Sequence, residues 1–291
     1  MTAGEAIRLA LPASIWLLVF ATGLLAEHRH ATYFFRNAGE LGRVILAMFI
    51  VMPLLALSMA RTFELNPAVK IALVAFALSP VPPLMPTQVT KVSRATDYTI
   101  GLLVAASVLS IVIIPLALLL IDRTAARHLG MSPIVIATQM AIGILAPLAL
   151  GMTVRRFAVS HADRLARAIS TVAMVVLAVC LVLILVVSRH AVGSLLGNGT
   201  VLAIAVLVTA GLVTGHLLGG PDPEHRSVLA IATSIRHPGI AIAIAHTNFP
   251  EQKLAGAAVL LCLLVGAVAI TAYKRWASSK RPGHAIRERR V

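Results

Sequence analysis

The feature that most constrains this chain is a succession of apolar segments, each close to the length of a membrane span. A helix needs about 20 mostly apolar residues to cross a hydrocarbon layer about 30 Å thick. Only 12% of the residues are charged, against about 25% in soluble domains. We therefore predict an all-α polytopic membrane protein with about nine transmembrane helices. The predicted spans cover residues 8–26, 41–60, 67–95, 98–121, 132–153, 166–187, 199–219, 225–247 and 253–273.

The excess of basic residues, 25 Lys and Arg against 11 Asp and Glu, predicts an orientation. The basic residues lie mainly between the apolar segments and in the tail, 274–291, so we expect no nucleic-acid partner. Under the positive-inside rule, segments rich in Lys and Arg stay in the cytoplasm. We predict the N-terminus outside and a basic cytoplasmic tail in an inner (plasma) membrane, with the lipid bilayer as surroundings and no obligatory protein partner.

Two of the predicted spans are interrupted by helix-breaking residues. The third contains "SPVPPLMP" and the eighth contains "SIRHPG". Proline removes a backbone N–H, clashes with the preceding turn and pushes the residue before it out of the helical region. Each of these spans is therefore expected to form two half-helices joined by an extended segment. Such backbone is tolerated within a membrane only where it lines a cavity or is buried in protein.

The spacing of the two breaks predicts an internal repeat. They fall in spans three and eight, five spans apart, and one uninterrupted span follows each. Two five-helix units, the first without its leading helix, produce this pattern, and an odd number of helices inverts one unit relative to the other. Inverted repeats with broken helices in matching positions are typical of secondary transporters with a site at the midplane. The alternative is two unrelated proline kinks.

At these residues the chain resembles the bile acid:sodium symporter family. The resemblance runs through "LSPVPPLMPTQVTKVSRATDYTIGLLVAASVLSIVIIPL" and resumes at "HRSVLAIATSIRHPGIAIAIAHTNFP". It implies a panel domain, here about 8–60 and 132–187, and a core domain, here about 67–121 and 199–273. In the family, the core holds the two crossing helices, and elevator or rocking motion occurs between the domains.

The resemblance also implies a sodium site, from which this chain departs. Family members use a Glu and a Gln on the second broken helix, and the matching positions here hold Ala232 or Thr233, and Arg236. On the helix after the first break, one of two hydroxyl positions has become Leu103. Oxygens that could still bind sodium belong to Thr87, Gln88, Ser107, Thr233, and the Ser234 and Ile235 carbonyls.

Arg236 lies near the middle of its predicted span, where a charge costs roughly 2.5–3.5 kcal/mol on insertion scales. No Asp or Glu falls near the centre of any span, so we expect no carboxylate beside it. Three compatible interpretations stay open. Arg236 binds an anionic substrate near the half-helix that follows Pro238 and Gly239; it stands where relatives hold sodium; or it bonds carbonyls freed at the other break.

Two further polar residues are candidates for the site. His237 either titrates near neutral pH or hydrogen-bonds a freed carbonyl. Gln139, inside the fifth span, either faces the cavity or bonds between helices. Gly211 and Gly215 form a small-xxx-small face that predicts close helix packing.

Taken together, these patterns predict a secondary active transporter of a small organic anion, with Arg236, His237, Pro238, Gly239 and Gln139 in the substrate site. The alternatives are a proton-coupled or uncoupled carrier or exporter on the same scaffold, and a membrane sensor that binds without transport. We expect no enzymatic activity, because the sequence has no P-loop, His-Glu-x-x-His motif or serine elbow. Sodium is a possible coupling ion, and no cofactor is expected.

Overall fold

The computed structural model describes residues 3–82, 85–89, 93, 95–124, 138 and 141–280. Every regular element within these ranges is helical, and none is a strand. Two short segments, Leu46–Val51 and Ala141–Leu145, are π-helical. The α-helices are α1 Ala3–Leu25, α2 His28–Arg36, α3 Ala38–Ile45, α4 Met52–Thr62, α5 Pro67–Leu78, α6 Met85–Val89, α7 Thr96–Thr124, α8 Ala146–Phe157, α9 Val159–Val187, α10 Arg189–Ser194, α11 Thr200–Leu218, α12 Pro223–Ser234, α13 Pro238–Asn248 and α14 Ala255–Ser279.

Within the described residues, six helical segments are long and apolar enough to cross a membrane, which confirms a multi-pass membrane protein. Two more predicted spans, 8–26 and 67–95, contain shorter apolar helices. Much of the predicted span 132–153 lies outside the described residues. The number of nine spans and the inverted repeat therefore stay predictions. The six segments are Ala38–Thr62, Thr96–Leu120, Val159–Val187, Thr200–Leu218, Pro223–His246 and Ala255–Ser279.

Three helices begin with a capping residue followed directly by proline. Asn66 accepts a hydrogen bond from the N–H of Ala68 at 2.9 Å, and Asp222 accepts one from the N–H of Glu224 at 2.7 Å. His237 does the same for α13. Proline suits the first helical position, because the N–H that it lacks would have no partner within the helix. These local signals set the starts of α5, α12 and α13.

Glycines allow two pairs of helices to pack closely. Gly23 of α1 faces Gly151 of α8. A Cβ added to Gly151 would lie 2.2 Å from the backbone oxygen of Phe20 in α1. Gly211 and Gly215 of α11 face α12, as their spacing predicts. α1 packs against both α8 and α9, whereas α4, in a segment assigned by resemblance to the panel, packs against α5 and α11.

Polar contacts join several segments that we predict on the cytoplasmic side. Arg155 forms a salt bridge with Glu27 at 3.0 Å. His225 Nδ1 lies 3.3 Å from a carboxylate oxygen of Glu40. Burial and a hydrogen bond with Glu40 raise the pKa of Tyr33 to about 12, so its phenol stays protonated at neutral pH. The ends of α1, α3, α8 and α12 are thus tied by ionic and polar contacts rather than by apolar packing alone.

Candidate functional site

The two interrupted helices meet at their breaks. Extended backbone follows α5 at Ser79 and α12 at Ile235. The N–H of His237 donates a hydrogen bond to the carbonyl of Pro80 at 2.8 Å, which joins one break directly to the other. Backbone groups released from one helix are thus satisfied by the second helix, as a buried break requires.

Arg236 binds two backbone carbonyls at this crossing. Its side chain is only 1% exposed. Nη1 donates to the carbonyl of Ser79 at 3.2 Å, and Nη2 donates to that of Met48 at 3.0 Å. Met48 lies in a π-helical segment, where its carbonyl would accept from the residue five positions on. That residue is Pro53, and the carbonyl of Ser79 has no helical donor either, because the backbone is extended from Ser79 onward. Proline has no N–H to offer, so Arg236 supplies the missing donors.

The remaining nitrogen of Arg236 and its charge are not satisfied by these two bonds. Nε is buried, and among the described residues nothing accepts a hydrogen bond from it. The salt bridges in the described part of the chain involve Arg155 and His225 instead. Arg236 is therefore a buried cation held by carbonyl dipoles, with no carboxylate of the described residues beside it.

His237 caps α13. Its Nδ1 accepts a hydrogen bond from the N–H of Ile240 at 3.3 Å, so this nitrogen carries no proton. Pro238 takes the first helical position. A Cβ on Gly239 would lie 3.3 Å from the imidazole ring, which explains the small residue there. His237 thus bonds an N–H at the helix start, a role that is separate from the two suggested by the sequence, titration near neutral pH or a bond to a freed carbonyl.

A small cavity of about 80 Å³ separates the crossing from α1 and α9. On the crossing side it is lined by Arg236, His237 and Pro238, and on the other side by Leu18 and Leu177, among others. The α1–α9 wall is apolar, so it offers the crossing no hydrogen bond.

A larger cavity, about 360 Å³, lies beside the second break. It is bounded by α9 on one side and by α14 on the other, and Ser234 and Ile235 are part of its lining. Its walls are mainly apolar, and a few polar groups interrupt them. Ligand sites for small molecules commonly have this character and a volume of roughly 300–1,000 Å³. The lining includes Phe76, Gln88, Leu181, Leu185, Cys262, Gly266, Ala267 and Thr271.

A family model described as the Sodium Bile acid symporter family matches residues 12–195. The chain belongs to this family. The match spans well over half of the chain and includes the first broken helix, so the expected resemblance is confirmed. It ends before the second broken helix, so Arg236 lies outside the matched residues. A comparison with curated proteins finds no significant match.

The residues whose oxygens were proposed to bind sodium in this family member do not share one environment. Ser107 donates to the carbonyl of Leu103 at 2.7 Å, and Thr233 donates to that of Leu229 at 2.7 Å. Both hydroxyls thus bond within their own helices and do not line the larger cavity. The hydroxyl of Ser234 donates to the carbonyls of Ala230 and Val208. Ser234 and Ile235 both line the cavity.

Two predicted site residues fall outside what the structure describes. Gln139 is not among the described residues, and nothing is described for the side chain of Thr87. Their assignment to the substrate site and the sodium site, respectively, stays a prediction. Of the predicted residues that are described, the structure brings six together at the crossing and its cavities: Gln88, Ser234, Ile235, Arg236, His237 and Pro238.

Lys274 is a polar residue of this region that sequence reasoning missed. Its Nζ donates a hydrogen bond to Oε1 of Gln88, which joins the end of α14 to the first broken helix. The signal was present in the spacing, because Cys262, Gly266, Ile270 and Lys274 follow one another every four residues. Residues four apart share one helix face, and the first three of these line the larger cavity.

Proposed function

We propose that this family member is a secondary active transporter of a small organic anion, with the substrate bound in the 360 Å³ cavity. Family membership supports a membrane transporter. The observation that carries the choice of an anion is Arg236, a buried cation whose guanidinium bonds only carbonyls among the described residues. It adjoins Ile235, which lines the cavity. An anion nearby compensates a buried charge that has no carboxylate of its own.

The charges around the cavity favour the same substrate class. Lys274 bonds Gln88, which lines the cavity, and no Asp or Glu is among the described residues that line it. The surroundings have low polarity, so these positive charges act strongly on a bound anion. The volume suits a small carboxylate or sulfonate whose apolar part contacts α9 and α14. The cytoplasmic side is proposed to be the end of the bundle that carries Lys274.

Sodium-independent transport is the second candidate function, and it is favoured by the two hydrogen bonds of Arg236. Arg236 already occupies the carbonyls of Ser79 and Met48, which a coupling cation could otherwise bind. A sodium ion at the crossing would be repelled by this guanidinium. We propose that Arg236 supplies a fixed positive charge there, so that uptake continues when sodium is replaced by choline. Uptake that requires sodium contradicts this second candidate and leaves the anion substrate intact.

Filling the larger cavity is expected to abolish anion binding. Ala267 lines the cavity, so Ala267→Phe places a ring in the substrate volume. Its neighbour Val268 is 72% exposed on the outer face of α14, so Val268→Phe is the matched control. A thermal-shift screen of organic anions is expected to find ligands that raise the melting temperature by roughly 5 °C at a hundredfold excess over Kd. The same ligands leave Ala267→Phe unchanged and stabilise Val268→Phe as they stabilise the wild type.

Different outcomes test the location of the site and the class of substrate separately. Stabilisation by organic cations, with none by anions, contradicts the proposed substrate class. Anion stabilisation that persists fully in Ala267→Phe places the site elsewhere. Anion binding to the wild type without any flux in proteoliposomes identifies a membrane sensor and overturns the proposal of transport.

A further inference from the structure

A groove of about 480 Å³ runs between α11 and α14, away from the crossing. Both helices are long and apolar enough to span the membrane. Two groove residues of α11, Val213 and Leu217, are 51% and 73% exposed. Exposed apolar side chains on a membrane span contact lipid, so the groove opens toward the bilayer. Its lining comprises Thr209, Leu212, Val213, His216, Leu217, Ala269, Ala272, Tyr273 and Trp276.

Three aromatic residues close the groove at the end where α11 and α14 finish. His216 Nδ1 and the hydroxyl of Tyr273 share a hydrogen bond of 2.8 Å. The ring of Trp276 lies 5.4 Å from that of His216 and 5.6 Å from that of Tyr273, centroid to centroid. Amphipathic rings of this kind concentrate at the level of lipid headgroups. The groove therefore extends from the headgroup level into the apolar layer.

Positive charge is concentrated at this same end. Lys280 places its ammonium 4.6 Å from the centroid of the Trp276 ring. Arg226 and Lys280 both lie within electrostatic range of His216, and Arg275, which directly precedes Trp276 in α14, is exposed. Glu224, the nearest acid in sequence to Arg226, accepts a hydrogen bond from Ser93. The groove thus combines an apolar floor with a basic mouth.

We propose that this groove binds one anionic phospholipid, with an acyl chain along Ala269 and Ala272 and the phosphate at Lys280, Arg226 and His216. Basic pockets between transmembrane helices on the cytoplasmic side suit anionic headgroups. A zwitterionic lipid fills the apolar part equally well, but its headgroup is attracted less strongly by the cations. A free phosphate gains from the cations but leaves the groove empty. Only an anionic lipid uses both parts, and this site is independent of the proposed transport cavity.

Two substitutions at exposed positions test the two parts separately. Lys280→Gln removes a charge at the mouth, and Ala272→Phe fills the groove. Lys253→Gln, at the opposite ends of the helices, is the matched control for charge. Purified protein in a mild detergent is mixed with equal amounts of phosphatidylglycerol and phosphatidylcholine that carry identical chains, and retained lipids are counted by native mass spectrometry. Elution on size exclusion checks that each variant remains folded.

We expect one retained phosphatidylglycerol per chain, in preference to phosphatidylcholine. Lys280→Gln weakens its binding roughly fivefold, as the loss of one cation near the headgroup predicts. Ala272→Phe reduces retention of either lipid, and Lys253→Gln changes nothing. Soluble glycerophosphate does not compete, because it lacks the acyl chain.

Three results would overturn the site. Equal retention of both lipids makes the aromatic cluster a non-selective interfacial anchor. A preference for phosphatidylglycerol that neither Lys280→Gln nor Ala272→Phe alters places the lipid elsewhere. A dimer that Ala272→Phe dissociates makes a second copy of the chain the occupant of the groove.

Discussion

Arg236→Gln is expected to reduce uptake of the organic anion roughly ten- to hundredfold, because a positive charge near the bound anion contributes up to about 4 kcal/mol at an effective dielectric constant of about 20. The melting temperature is expected to change by only a few degrees. Glutamine keeps one donor for the carbonyl of Ser79 or Met48, and the loss of the other bond is offset by relief of the buried charge, which costs roughly 2.5–3.5 kcal/mol. Uptake in proteoliposomes and thermal unfolding of the same preparation measure the two effects.

Arg236→Lys distinguishes the charge from the geometry. Lysine keeps the positive charge but cannot reproduce the planar fork that reaches two carbonyls. We expect it to retain more uptake than Arg236→Gln if the charge serves the anion. Equal loss in both variants would mean that Arg236 only holds the crossing together. A sodium requirement that appears in Arg236→Gln, and is absent from the wild type, would identify the guanidinium as a substitute for a coupling cation.

Gly215→Ala is expected to destabilise the protein by several kcal/mol, or to prevent the native packing of α11 on α12. The added Cβ would lie 2.5 Å from the carbonyl oxygen of Leu229 and 2.6 Å from Cα of Ala230. These are backbone atoms, which cannot move without separating the two helices. Overpacking of a well-packed interior costs typically 1–3 kcal/mol, occasionally more. Because α12 leads directly into the second break, we also expect loss of anion binding.

Gly42→Ala is the matched control for this substitution. Gly42 lies within α3, and an added Cβ there meets nothing within 4 Å. Alanine is a better helix former than glycine by up to about 1 kcal/mol, so the control is expected to unfold at the same temperature or higher. Thermal unfolding in detergent compares the two. A Gly215→Ala variant as stable as the control would show that α11 and α12 can separate without cost.

The sequence was sufficient for the elements that depend on local chemistry. Proline removes a backbone donor wherever it stands, so "SPVPPLMP" and "SIRHPG" were bound to interrupt their helices: α5 ends just before the first segment, and α12 ends at the first residue of the second. The glycine spacing likewise predicted close helix packing for α11. These features follow from one residue type and its immediate neighbours.

The partners of the polar groups could be read from the sequence only in part: a bond from Arg236 to a carbonyl at the other break was one interpretation, and Ser79 provides such a carbonyl. Arg236 was expected at a site, but its bond to Met48 depends on a π-helical segment 188 residues earlier in the chain. The bond between Lys274 and Gln88 joins positions 186 residues apart. His237 was expected either to titrate near neutral pH or to bond a freed carbonyl, and the role of its Nδ1 as acceptor for the N–H of Ile240 was not foreseen. Each outcome depends on which backbone groups the packed helices leave unpaired.

By itself, therefore, the sequence determined the membrane environment, the helical class and the two breaks, because hydrophobic length and proline act locally. The family resemblance implied that the broken helices cross, but only the tertiary structure decided that His237 bonds Pro80 there and that Arg236 spans carbonyls from two other segments. It also decided that α9 and α14 enclose a cavity beside the crossing. These features arise from contacts between helices distant in sequence, where the shape of each surface determines which side chains and carbonyls come within bonding distance.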